Sequence, residues 1–187
     1  MNFERLTLPG PIAIQPTRRG DARGYFAETF RTDAFVDAIG DFNFVQENES
    51  LSAKVGTVRG LHFQTDPFAQ GKLVRCVAGA LLDVVVDIRT GSPWYGHSVA
   101  VELSADNGKQ LWVPPGFAHG FCTLRPDTIL AYKVTAYYSY EHDKGLAWND
   151  PTVGITWPSL ADPDTLSVKD RDQPLLTDLS AHFTYEA

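Results

Sequence analysis

The stretch GTVRGLHFQTDPFAQGKLVRCVAGALLDVVVDI, residues 56–88, decides the architecture. With the residue before it, it contains three strand-like runs, Val55–Phe63, Leu73–Val77 and Leu81–Ile88, rich in valine and leucine and parted by glycine, proline and polar residues. Strand alternation sets Lys72, Val74 and Cys76 on one face, so a cation shares a face with two apolar residues.

Outward from this centre the same texture continues. Gly24–Phe30, Ser98–Leu103, Gln110–Val113 and Ile129–Thr135 also read as strands, with turn clusters at Arg89–Pro93 and Ser104–Gly108. In the last of these strands Leu130, Tyr132 and Val134 share a face. The clearest helix signal runs from Thr32 as N-cap, through Phe35 and Ile39, to Gly40 as a stop. Many short strands predict a mainly β fold, a jelly-roll sandwich or barrel with a few short helices. A chain of 187 residues, 43% hydrophobic with four Trp and eleven Phe, has enough apolar material for one core, so residues 1–187 are expected to form a single domain.

The formal charge of -7 argues against general nucleic-acid binding, which depends on a basic surface. A small anion could still be held where cations converge, and Arg23, Arg59, Lys72, Arg75 and His119 are the candidates. Met1–Gly10 has no basic leader or apolar core, and no run approaches the ~20 apolar residues that span a bilayer, so a cytoplasmic protein without membrane association is expected. Cys76 and Cys122 lack metal-ligand spacing and read as small buried apolar residues.

Two segments carry a recognisable pattern. Gly56 is followed after five residues by His62, Gly79 closes the segment, and Pro114-Pro115-Gly116-Phe117-Ala118-His119 follows later. These resemble the two motifs of the cupin jelly rolls, which often hold a metal through three histidines and a glutamate. Here Gln64 stands at the second histidine position and Lys72 at the glutamate position. Two histidines and an ammonium are a poor ligand set for a divalent cation, so neither metal nor other cofactor is expected. A polar interior with His62, Lys72, His119 and Tyr132 suits acid–base chemistry better. Taken singly, Tyr132 could be a core phenol and Lys72 a strand-end cation reaching solvent.

A longer set of strings extends the pattern along the chain. They are Asp21–Glu28, Gln46–Ser50, Val58–Gln64, Gln70–Cys76, Pro115–Phe121, Tyr132–Thr135, Trp148–Pro151 and Ser167–Asp170. In this order they resemble the dTDP-4-dehydrorhamnose 3,5-epimerases over nearly the whole chain. The resemblance implies a homodimer acting on dTDP-4-dehydro-6-deoxyglucose, inverting both carbons that flank a ketone. It also implies His62 as the base, Asp170 as the carboxylate that orients it, Tyr132 as the acid on the far face, and Lys72 as the cation stabilising the enolate. For the nucleotide it implies Arg23, Arg59 and His119 at the diphosphate, Gln46 and Asn48 as polar contacts, Phe26 and Tyr138 flanking thymine, and Glu28 reaching the base from a partner subunit.

Strict alternation sets Arg59 and His62 on opposite faces, so both can enter the site only if the strand bulges at Gly60. The stretch Tyr140–Asp143 departs from the family's turn-like pattern and is expected to lie outside the chemistry. His97, His142 and His182 read as surface or structural. A relative that inverts only one carbon or uses a related nucleotide sugar, a non-catalytic sugar- or nucleotide-binding jelly roll and a metal-dependent oxygenase are the alternatives.

Overall fold

The computed structural model describes residues 1–186. Two antiparallel sheets face each other. The first has six strands in the order β1 (Asn2–Arg5), β2 (Ile12–Gln15), β11 (Gln110–Val113), β7 (Lys72–Ala78), β13 (Thr128–Val134) and β5 (Gln46–Ser52). The second has five, β10 (Ser98–Ser104), β8 (Ala80–Asp87), β12 (Phe117–Thr123), β6 (Val58–Gln64) and β14 (Asp143–Gly145). Two small ribbons stand apart from these sheets: the hairpin β3 (Arg18–Asp21) with β4 (Gly24–Ala27), and the parallel pair β9 (Arg89–Thr90) with β15 (Phe183–Thr184). This is the mainly β sandwich expected from the spacing of the strand runs.

The space between the sheets is filled by side chains from both. Val74, Cys76, Leu111 and Leu130 of the first sheet meet Leu81, Val85, Leu103 and Phe121 of the second. The outer faces are also covered, which is why several strands are apolar on both sides. Helix α1 (Thr32–Ala38) lays Phe35 on Trp112, Ile14 and Leu73, with Phe30, Phe42 and Phe44 around it. On the second sheet, Leu61, Phe63, Val86, Ile88 and Ala118 are capped by Leu176, Trp157 and Phe183 from the C-terminal part. Among the described residues no helix is long and apolar enough to cross a membrane.

Some local expectations change. Arg31, not Thr32, is the N-cap of α1: its backbone is extended at φ -149°, its carbonyl accepts from Phe35 N at 3.0 Å, and no side chain caps the helix. The strand expected from Val55 starts at Val58, because Gly56 turns at φ +77° and packs so closely on Leu160 that a Cβ there would lie 2.1 Å from its carbonyl oxygen. The strand expected over Gly24–Phe30 ends at Ala27. Arg75 points away from the core on β7, beside Phe30, Glu47 and Lys133 on the outer face, and does not join Arg59, Lys72 and His119.

Candidate active site

The site is built where β6 and β12 of one sheet look across the sandwich at β7, β13 and β5 of the other. Its form begins with a register shift. His62 pairs with His119 and Arg59 with Phe121, so the two residues Gly60 and Leu61 stand opposite the single residue Gly120. This is a bulge at the place where alternation required one. A Cβ on Gly60, at φ +120°, would lie 2.6 Å from Gly120 Cα, and a Cβ on Gly120 would lie 2.6 Å from Arg59 O. Two glycines therefore let the strands approach while the bulge turns both Arg59 and His62 into one cavity of about 280 Å³.

His62 is fixed from behind. Its Nε2 lies 2.5 Å from Asp170 Oδ1, and Asp170 sits at 4% exposure in the short helix α2 (Val168–Arg171), where its N–H donates to the N-cap Ser167 Oγ at 3.1 Å. Burial works to raise the Asp170 carboxyl's pKa, but the hydrogen bond and electrostatic pull of the His62 ring, with hydrogen bonds from Ser167 and the Gly60 backbone, outweigh it and hold the group below its ordinary value. An ionised Asp170 holds the Nε2–H tautomer, which leaves Nδ1 as the ring nitrogen that can take a proton.

Lys72 and Tyr132 approach from the other sheet. Lys72 Nζ donates to His62 O at 3.2 Å, so β6, which bears His62, is tied directly to β7, which bears the amine. Burial pushes the Lys72 amine down to about 8; Asp143 and Asp83 oppose this, while Lys169 adds to it. Tyr132 lies opposite Asn48 and Val74 in the sheet, and burial raises its phenol's pKa against the lowering influence of Arg59. It is therefore a protonated donor at neutral pH.

Further groups complete the walls. His119 Nε2 meets both oxygens of the fully buried Asp83, at 2.9 and 3.0 Å. Arg59 is steadied by Nε to Ser52 Oγ and Nη2 to Leu51 O, each at 3.1 Å. A second cavity of about 250 Å³ shares His62, Lys72, Tyr132 and Asp143 with the first and extends to Gln46, Asn48 and Tyr138. Seven of the residues implied by the family strings to bind or react thus line one cavity pair with Asp170: His62, Lys72, Tyr132, Arg59, His119, Gln46 and Asn48, with Tyr138 at the mouth.

Three others lie elsewhere. Arg23 has a 91% exposed side chain paired with Asp21, Phe26 is 73% exposed, and Phe26 and the exposed Glu28 line a separate groove with Arg31. All three belong to the β3–β4 hairpin or the segment just after it.

The Tyr140–Asp143 expectation needs correction, because Asp143 lines both cavities, forms an ion pair with Lys169, and accepts from Tyr138 Oη at 3.0 Å. Lys169 is a second unforeseen wall residue. Asp83 did carry a signal: a carboxylate inside the apolar run Leu81–Val86 needs a buried partner.

At the two positions where cupins place further metal ligands, Gln64 gives its amide to loop backbone and Lys72 presents an amine. Among the described residues no group of three or more His, Cys, Asp or Glu side chains converges as a metal site.

The family model for dTDP-4-dehydrorhamnose 3,5-epimerase matches residues 5–178. A dTDP-4-dehydrorhamnose 3,5-epimerase from Sinorhizobium fredii is 57% identical, over 99% of this chain and 94% of its own length. A crystal structure of dTDP-6-deoxy-D-glucose-3,5-epimerase from Legionella pneumophila in complex with dTDP-4-keto-L-rhamnose superposes with a TM-score of 0.93 at 40% identity, covering 100% of this chain and 99% of that one. A dTDP-4-dehydrorhamnose 3-epimerase from Streptomyces niveus is 36% identical over 95% of this chain and 85% of its own length.

Proposed function

The chain belongs to the dTDP-4-dehydrorhamnose 3,5-epimerase family, and from that premise we propose how its residues perform the reaction. The protein is an isomerase that converts dTDP-4-dehydro-6-deoxy-D-glucose to dTDP-4-dehydro-L-rhamnose in dTDP-rhamnose biosynthesis. Both inverted carbons flank the C4 ketone, so each proton removed leaves an enolate. His62, oriented by Asp170, takes the proton; Lys72 stabilises the enolate oxygen; Tyr132 returns a proton to the opposite face of the ring. One observation carries this assignment: the His62–Asp170 pair and Tyr132 stand on facing sheets around one cavity that also holds a buried amine. Inversion needs a base and an acid on opposite faces of the sugar ring, because a pair on the same face would return the proton with retention.

Arg59 and His119 bind the diphosphate, Gln46 and Asn48 make polar contacts, and Tyr138 flanks the thymine. The remaining nucleotide contacts come from a second subunit. The β3–β4 hairpin pairs with neither large sheet and leaves Tyr25 and Phe26 59% and 73% exposed, as a strand pair that docks on another subunit would. In the homodimer, Arg23, Phe26 and Glu28 of the hairpin region complete the neighbour's site. The enzyme works in the cytoplasm and needs no cofactor.

The test is solvent-deuterium incorporation into the substrate, read by NMR with purified protein and no added metal. Label at both C3 and C5 with inversion is expected. Label at one carbon would assign the protein to the single-centre relatives, and none would remove His62 as the base. Tyr132→Phe should retain exchange of the proton that His62 removes while slowing inversion by about 10²–10⁴-fold.

A further inference from the structure

The segment after β13 leaves the sheet without the usual means of support. Ala136, Tyr137 and Tyr138 make no backbone–backbone hydrogen bond among the described residues. Side-chain amides take over, residue by residue. Gln70 Nε2 donates to Ala136 O at 2.7 Å and Gln64 Nε2 to Tyr137 O at 3.1 Å. Gln46 Oε1 accepts from Tyr138 N at 3.2 Å, and Gln64 Oε1 accepts from Ser139 N at 2.8 Å. Four consecutive residues are thus each held by one of three glutamines.

These glutamines come from separate parts of the fold, the edge strand β5, the end of β6 and the β6–β7 connection, and all three line the second cavity with Tyr138. Gln64 is the deepest, 4% exposed, and its Nε2 also donates to Phe68 O at 2.7 Å. A carboxamide suits this work because one neutral group offers both a donor and an acceptor to backbone that would otherwise go unpaired. It adds no charge beside Lys72 and Asp143. The Tyr138 ring is held at its other end, where Oη donates to Asp143.

We propose that Gln64 and Gln70, with Gln46, form a clamp that presents Tyr138 to the nucleotide base, so that Gln64 and Gln70 are positioning residues for nucleotide affinity and not for the proton transfers. This role rests on Tyr138 flanking the thymine.

The experiment measures dTDP affinity by calorimetry, together with KM and kcat, for Gln64→Met, Gln70→Ala, Tyr138→Ala and the two double variants with Tyr138→Ala, each in the full chain. Losing clamp hydrogen bonds should weaken dTDP binding and raise KM by roughly 3- to 10-fold, with kcat changed less than about twofold. In the Tyr138→Ala background the same substitutions should add nothing, because the clamp acts through that ring. If Tyr138→Ala leaves dTDP affinity unchanged, the assignment of Tyr138 to the base is wrong and the clamp has no ligand to serve. If Tyr138→Ala weakens binding but the glutamine variants do not, or their losses add in full, the clamp itself is overturned. A fall in kcat at constant dTDP affinity would also overturn it. Should Gln64→Met not fold, Gln70→Ala removes a single hydrogen bond and is read against the same outcomes.

Discussion

Replacing Lys72 with methionine should make the protein more stable and nearly inactive, and the size of the gain should depend on pH. Burial lowers the amine's pKa from 10.5 to about 8. At about 1.4 kcal/mol per unit, that drop means the charged amine sits roughly 3 kcal/mol less favourably in the fold than in the unfolded chain. The direction follows from proton counting. Between about 8 and 10.5 the unfolded chain still holds a proton that the folded chain has released, so wild-type stability rises with pH across that window. Below it both states are protonated and the full disadvantage is present. Methionine has similar bulk and no charge, so the stability difference, variant minus wild type, should be largest near neutral pH and shrink by about 3 kcal/mol as the pH passes through the window. Urea unfolding of both proteins at a series of pH values measures it. Turnover of the variant near neutral pH should fall by at least ~10²-fold, since a fixed charge beside the enolate oxygen is lost. A stability difference that is flat with pH, or grows as pH rises, would refute the assignment of a strained buried cation.

Asp170→Asn should reduce turnover by about 10²–10⁴-fold through loss of the oriented imidazole. It should also flatten part of the acid-unfolding curve: the Asp170 carboxyl is held below 3.8, so its stabilising contribution is present above that pH and disappears as pH falls through the lower folded value. Gly60→Ala should destabilise the fold by about 1–3 kcal/mol or more, since it combines a left-handed backbone with a 2.6 Å contact. Thermal unfolding measures this, and a melting temperature equal to wild type would mean that the bulge is not tightly set. The homodimer predicts a sedimentation mass twice that of the 20.7 kDa chain, lost or weakened in Phe26→Asp; a monomeric wild type would remove the hairpin's assigned role.

Much of the site was legible because its residues break local patterns. Lys72 and Tyr132 each interrupt an apolar face, His62 stands at a cupin ligand position, and the family strings supplied their roles together with Asp170. The bulge at Gly60 was legible too, since alternation and the placement of Arg59 conflict without it. Strand β5 was not. Its inward residues Gln46, Asn48 and Ser50 face polar cavities while Glu47 and Glu49 face outward, so neither side shows the apolar alternation by which strands are read. Strand β12 was hidden for the opposite reason, being buried along its whole length between two packed layers. Asp143 escaped because its role depends on β14 lying beside β6, a pairing across nearly the whole barrel motif that local sequence does not encode.

Because the proposed base and acid ride on different sheets, the gap between them depends on the side chains packed in the middle of the sandwich as well as on Lys72, which ties the sheets at His62 O. Val74 and Val85 help set that spacing, and Tyr132 rests on the same cluster. A change of one methyl group there acts like a shim in a vice, moving the jaws relative to each other while leaving both faces intact. Loss of one of the two inversions could therefore arise during evolution from a silent-looking change in the interior, and a search for such switches should include the core as well as the pocket.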